Sequence, residues 1–240
     1  MGCFFLGAEK EIKELKQLDH GNVVKMVACS DIRNRCGDSP VHIVLEYMPC
    51  DLKHAIKNHP EIKENTREIL HQVLKGGAYI HSKSLAHRDI NTKNILIDPT
   101  GMSVKICDFG LCCEGRIEKE DFPGKFLDGY YRDVLSFVSL MVRLYLGGSS
   151  SSVFYRGMFF DRYGPECFIK TKREGGVLPG SSLEMLYGGD EGCFSENGLY
   201  LFLKLIASRK TGECTVTAEA LKHPFFAEGR EKDPLPKDPK

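Results

Sequence analysis

The chain has 240 residues, 42% apolar and 28% charged, a globular composition that excludes a disordered polypeptide. Thirty-three Lys and Arg balance thirty-three Asp and Glu, and a formal charge of zero excludes a general nucleic-acid or polyanion binder. No apolar run reaches the roughly 18 to 20 residues of a membrane span. Residues 1–6 lack the basic flank and long apolar core of a signal peptide; Gly2 and Cys3 hint at lipidation, but Leu6 stands where the acylation pattern wants Ser or Thr. The ten cysteines are scattered, no Cys/His set has zinc spacing, and they read as reduced, mostly buried small residues.

In chain order, Ile12, Leu15 and Leu18 share one face of an amphipathic helix predicted over 8–18. β-rich runs at 22–28 and 41–47 flank a polar, turn-prone stretch at 30–40. A helix is predicted over 66–83, with Asn65 as N-cap and Glu68 placed as in a capping box. Ile95-Leu96-Ile97 and Val104-Lys105-Ile106 flank Asp98-Pro99-Thr100-Gly101, whose Asp, Pro and Gly suit a type I turn, so a hairpin follows. The nearly all-apolar 133–146 reads as a buried helix, and 147–152 as a flexible break. The Gly- and aromatic-rich 153–196 reads as loops and short helices. Helices return near 198–208 and 217–222, and the tail 228–240, with three prolines and eight charges, reads as a solvated extension. Strands early and helices late make the fold class α+β.

Chemistry concentrates between His87 and Gly110. His87-Arg88-Asp89 precedes Asn94, then the hairpin, then Asp108-Phe109-Gly110. The hairpin closes on itself, so Asn94 before its first strand meets Asp108 after its second. An amide oxygen and a carboxylate at one open end suit Mg²⁺. Asp89, on the loop entering that end, can accept a hydroxyl proton while cations neutralise a transferring phosphoryl. Turn-forming and capping would explain each of these residues singly. Their joint order and spacing point to phosphoryl transfer.

These residues resemble the catalytic core of eukaryotic protein kinases, the H-R-D-x-x-x-x-N loop and the D-F-G motif. Glu11, in Glu11-Ile12-Lys13-Glu14-Leu15, resembles the family's αC glutamate, and Asn22-Val23-Val24-Lys25-Met26 the strand after it. Leu45-Glu46-Tyr47-Met48 resembles the hinge, with Leu45 as gatekeeper and the Glu46 and Met48 backbones facing adenine. Asp51, close behind, looks like the ribose contact of the cyclin-dependent kinases, and Leu96 joins the nucleotide-binding set. Asp133 resembles the αF aspartate that holds the catalytic-loop backbone, and His223-Pro224-Phe225-Phe226 the closing helix of those kinases.

The resemblance implies a protein-kinase-like fold with a partial N-lobe, αC and two to three strands, over a mostly helical C-lobe. Its divisions are 1–48, partial N-lobe and hinge; 49–227, C-lobe; and 228–240, a disordered tail.

Four places depart from the family pattern. Only ten residues precede Glu11, with no G-x-G-x-x-G and no lysine strand; Lys10, on the same helix, cannot pair with Glu11. The expectation is a truncated N-lobe or a misassigned start. Asn91 stands where Ser/Thr kinases carry Lys, and Lys93 is the substitute cation for the γ-phosphate, or a residue pointing to solvent. Between Asp108 and Asp133 there is no Ala-Pro-Glu and no Ser or Thr, so Arg88, with no phosphate to clamp, meets Glu118, Glu120 or Asp121 instead, unless those acids form a solvated loop face. Nine residues before His223, where the family's matching Arg belongs, stands Cys214, with Arg209 and Lys210 nearby. Loss of both partners avoids the penalty of one buried unpaired charge.

The resemblance thus implies a cyclin-dependent-kinase-like Ser/Thr kinase that transfers the ATP γ-phosphate to protein hydroxyls. Asp89, Lys93 and Asn94 are its catalytic residues, Asn94 and Asp108 its Mg²⁺ ligands, and Glu11, Glu46, Met48, Asp51 and Leu96 its ATP-binding residues. The alternative is a pseudokinase, a binding module without lid or lysine. Partners are a protein substrate and a cyclin-like regulatory subunit, although Gly7-Ala8-Glu9-Lys10 does not resemble the cyclin-binding signature; neither nucleic acid nor membrane is expected. Family resemblance and cysteine usage place the protein in nucleus or cytoplasm.

Overall fold

The computed structural model describes residues 3–31, 40–119, 122–159, 170, 171, 174, 176, 195–208 and 215–228. Helix α1 (Cys3–Leu15) starts earlier and ends sooner than its pattern, yet Ile12, Leu15 and Leu18 are all buried as their spacing requires. The strand predicted over 22–28 divides. Val24 N–H donates to Ile106 O, and Ile106 N–H to Asn22 O, both at 2.9 Å, so the first half is hitched to a later strand. Only β1 (Met26–Cys29) pairs, antiparallel, with β2 (Ile43–Leu45). Beyond β1, Ser30 closes the pair: its N–H donates to His42 O, and its hydroxyl accepts from His42 N–H.

β3 (Cys50–Asp51) leads into helix α2 (Leu52–Asn58), whose N-terminus Asp51 caps by accepting His54 N–H at 2.7 Å. The short α3 (Glu61–Glu64) runs almost directly into α4 (Thr66–Ser82), the central helix. That continuity overturns the expected capping box. Asn65 sits at φ −101°, ψ 14°, and its side-chain amide donates to Glu61 O, while Thr66 Oγ1 donates back to Lys63 O. Asn65 therefore extends the preceding turn. α4 buries Ile69, Leu70, Val73, Leu74 and Ile80. Its Gly76 and Gly77 permit close approach: a Cβ at 76 would lie 2.6 Å from Asn22 O, and one at 77 lies 2.3 Å from Phe137 Cζ.

β4 (Leu85–Ala86) is followed by the hairpin of β5 (Ile95–Asp98) and β6 (Ser103–Ile106), registered Ile95 to Ile106 and Asp98 to Ser103. The loop spans 99–102, with Met102 at φ 49° closing it, and Asp98 Oδ1 accepts from Thr100 N–H and Oγ1–H. β3, β5 and β6 form one sheet in that order. Asn22 and Gln72 staple helix to hairpin: Asn22 Nδ2 donates to Gln72 Oε1 and Val104 O, Gln72 Oε1 accepts Val104 N–H, and Gln72 Nε2 donates to Met102 O.

β7 (Cys113–Glu114) pairs with β4, and β8 (Arg116–Lys119) with β9 (Phe122–Asp128). Helix α5 (Gly129–Phe159) begins four residues before its apolar run and continues through 147–152, where a break was expected. Two glycines and four serines cost helix stability without forbidding the helix, because none removes a backbone hydrogen bond as proline would. Helices α6 (Glu196–Ala207) and α7 (Val216–Ala220) and the 3₁₀ turn Pro224–Phe226 complete the C-terminal body. Its last described residue, Glu228, is tied down by Arg67, Ser195 and Asn197. The remainder of the tail and most of 153–194 lie outside the described residues. Among the described residues no helix is long and apolar enough to cross a membrane.

Candidate active site

The active end is built by the β5–β6 hairpin and by the loop that precedes it. Beyond the Ile95–Ile106 pair the ladder takes one more step, Cys107 N–H to Asn94 O at 2.9 Å. Asp108 is therefore the first residue past the hairpin, beside Asn94 as the turn geometry anticipates. It is exposed, with φ 66°, and its Oδ1 lies 3.4 Å from Gly110 N–H.

Asp133, on α5 and wholly buried, holds the preceding loop. Its Oδ1 accepts Arg88 N–H at 2.7 Å, and its Oδ2 accepts His87 N–H at 2.8 Å and lies 3.0 Å from His81 Nε2. Two amides on one carboxylate stabilise Arg88 at φ 66°, a left-handed conformation that costs a non-glycine residue about 1 kcal/mol or more. His87 ties the loop to the hairpin. Its Nε2 donates to Cys107 O at 2.9 Å, its Nδ1 accepts Asp89 N–H at 3.2 Å, and its ring meets Phe109 edge-on. Burial lowers the His87 pKa below the ordinary histidine value, against the opposing pull of Asp133, the Cys107 carbonyl, Asp108 and Asp89.

These constraints bring Asp89 and Asn94 together: Asn94 Nδ2 donates to Asp89 Oδ2 at 2.8 Å and to Asp89 O at 3.0 Å. Asn91 is absorbed into the same turn, its Nδ2 donating to Asp89 O and its Oδ1 accepting Lys93 N–H, while Lys93 itself is exposed. Sequence reasoning missed Asn91's part, although an Asn two residues past Asp89 and two before Lys93 is an Asx-turn signal. The support from His81 and Thr217 carried no local signal, being separated by 136 residues.

Above this end, Glu11 Oε1 accepts Phe109 N–H at 3.3 Å, joining α1 to the residue after Asp108. Burial raises the Glu11 pKa, the Phe109 amide offsets part of that, and Asp108 adds to it. Among the described residues no ion pair engages Glu11. Glu46 commits its amide to Lys25 O, and its carboxylate takes Lys25 N–H at 2.7 Å and the Lys105 ammonium at 3.0 Å. Leu45, Met48 and Leu96 are half-buried, and Asp51 spends Oδ1 on the α2 cap. Arg88 Nε donates to Leu111 O at 2.8 Å. The acids expected to meet it, Glu120, Asp121 and the Glu118 side chain, lie outside the described residues, as do Arg209, Lys210 and Cys214.

The family model of the protein kinase domain matches residues 7–131, just over half of the chain. The chain belongs to the protein kinase superfamily. The matched stretch runs from α1 through the catalytic loop and hairpin to the start of α5, and the α+β fold of the kinase agrees with it. Asp133 lies just past the match, so its role stands on the kinase's own hydrogen bonds. The cleft of about 440 Å³ between Lys13, Glu14, Leu85, Gly115 and Tyr130 includes none of the candidate catalytic residues of this kinase.

Proposed function

We propose that this kinase transfers the γ-phosphoryl group of ATP to serine or threonine hydroxyls of a protein, in the manner of the cyclin-dependent kinases. One observation carries the reading: the Asp89–Asn94 hydrogen bond stands at the open end of the hairpin that delivers Asp108. Asp89, with its backbone carbonyl held by Asn91 and Asn94, is the base for the substrate hydroxyl.

The donors fit magnesium. Asn94 turns its amide nitrogen to Asp89, which leaves its oxygen for a cation, and Asp108 presents an exposed carboxylate. These two hard oxygens would hold the ion, which supplies charge neutralisation at the phosphates. Lys93, exposed after the Asn91 turn, is the cation for the γ-phosphate. The Glu46 and Met48 backbones, Leu96 and Asp51 line the nucleotide position, and Glu11 fixes Phe109. The division into a partial N-lobe and hinge, 1–48, and a C-lobe, 49–227, belongs to the same reading. A cyclin-like subunit is the regulatory partner that fits the reading.

Glu11 favours a second reading, a pseudokinase that binds partners without turnover, because the neighbouring charge in the described structure is Asp108 and not a cation. Transfer of labelled γ-phosphate from Mg-ATP to a mixed Ser, Thr and Tyr peptide library separates the two. Label on Ser and Thr with wild type, lost in Asp89→Asn, supports the kinase. No label from either protein, with or without a cyclin, moves the assignment to the pseudokinase.

A further inference from the structure

We propose that Thr217 is a positioning residue for the catalytic loop: its hydroxyl anchors the His81 ring through Nδ1, and His81 in turn holds the Asp133 carboxylate on the amides of His87 and Arg88. Thr217 Oγ1 on α7 lies 3.1 Å from His81 Nδ1 at the end of α4. His81 Nε2 lies 3.0 Å from Asp133 Oδ2, which accepts His87 N–H, while Oδ1 accepts Arg88 N–H. Thr217 and Asp133 are fully buried and His81 is 2% exposed, so water does not replace these partners.

The direction of the bonds follows from the donors. A carboxylate only accepts, so the proton facing Asp133 is on His81 Nε2. With Nε2 protonated, a hydroxyl donating to Nδ1 favours the tautomer in which Nδ1 is bare. Tyr130, edge-on to the His81 ring at 4.9 Å and seated over Gly115, restricts the ring from rotating. Without the Thr217 hydroxyl Nδ1 is left a buried lone pair with no donor, while the Asp133 carboxylate keeps the proton on Nε2, so the ring is held at one nitrogen only. The Nε2–H bond to Asp133 then loses its second anchor, and the carboxylate's hold on the left-handed Arg88 backbone, one residue before Asp89, loosens. A residue 128 positions away from Asp89 thereby sets the geometry of the loop. Only the effect on turnover rests on the phosphotransfer reading; the relay itself does not.

The test uses the full ¹⁵N-labelled chain with Thr217→Ser, Thr217→Cys and Thr217→Val. His81 ring nitrogens, identified by their loss in His81→Gln, report the tautomer, and amide hydrogen exchange reports His87 and Arg88. The expected result is a wild-type spectrum for Thr217→Ser and, in Thr217→Val, a His81 Nδ1 resonance moved downfield by loss of its hydrogen bond while Nε2 stays protonated. Exchange at His87 and Arg88 should then quicken roughly fivefold, as for loss of one hydrogen bond, with the Leu70 and Leu74 amides unchanged. Thr217→Cys falls between, and decides the matter should the valine variant not fold. Unchanged His81 shifts, acceleration spread equally over α4, or failure of serine to restore the wild-type pattern overturns the proposal. Full relay behaviour in a chain that transfers no phosphate overturns the phosphotransfer reading and leaves the relay standing.

Discussion

The catalytic loop with its hairpin and the α1–β1–β2 region differ in how many partners determine each residue. In the first, His87, Asp89, Asn91, Asn94 and Asp133 are joined by closed hydrogen bonds, and Asp133 is wholly buried. In the second, a two-stranded sheet exposes Val27 and Val44 at 65% and 50%, and the Glu11 carboxyl has Asp108 for a neighbour. Two strands alone are marginally stable. The loop end is held by its own closed network, whereas the α1–β1–β2 side joins it through the Phe109 amide on Glu11, the Asn22 and Val24 bonds to Ile106 and the Glu46–Lys105 pair.

The largest effect should fall on turnover. Asp89→Asn removes the base and should lower kcat by about 10³-fold, with unchanged circular dichroism, if the lower region is the catalytic one. Asp133→Asn should cost about 3 kcal/mol or more in urea unfolding, because buried donors lose a charged acceptor and one meets an amide N–H instead. Steric tightness gives a third contrast. Gly77→Ala drives a methyl into Phe137 and should cost about 1–3 kcal/mol, whereas Gly21→Ala, with open space around its Cβ, should stay within about 0.5 kcal/mol.

The two smallest effects have opposite signs with pH. His87 titrates below its unfolded value, so the unfolded chain binds a proton first on acidification. Stability should be intact above about pH 6.5 and decline as pH falls from there toward the folded pKa; His87→Asn should flatten that decline in urea midpoints. Glu11 titrates above its unfolded value, so its ionised form is disfavoured in the fold at neutral pH. Glu11→Gln should therefore stabilise the fold at pH 7 by no more than about 1 kcal/mol for a half-exposed group, read as a raised melting temperature. The gain should vanish as pH falls through the raised pKa, and a lower melting temperature in the variant would mean that Glu11 has a cation.

Local chemistry made several features legible in the sequence. The β5–β6 hairpin follows from two apolar triplets around Asp98-Pro99-Thr100-Gly101, and α4 from its apolar period. The adjacency of Asn94 to the residues around Asp108, and the grip of Asp133 on the loop, were likewise readable from spacing and family resemblance. Less legible was anything that depended on competition. Whether Asn22 and Val24 pair within the small sheet or with Ile106 is decided by Gln72 and the Gly76 approach, both distant in sequence. Asn65 has the composition of a cap, yet the preceding turn of α3 already supplies its partner, Glu61 O.

By itself, then, the sequence determined the β5–β6 hairpin and the order of Asp89, Asn94 and Asp108 around it, because turns and strand periods are short-range. Only the tertiary structure decided that Thr217, His81 and Asp133 meet beneath the catalytic loop. Three buried polar groups on three helices satisfy one another there, and no local pattern records a contact whose sole cause is the absence of water.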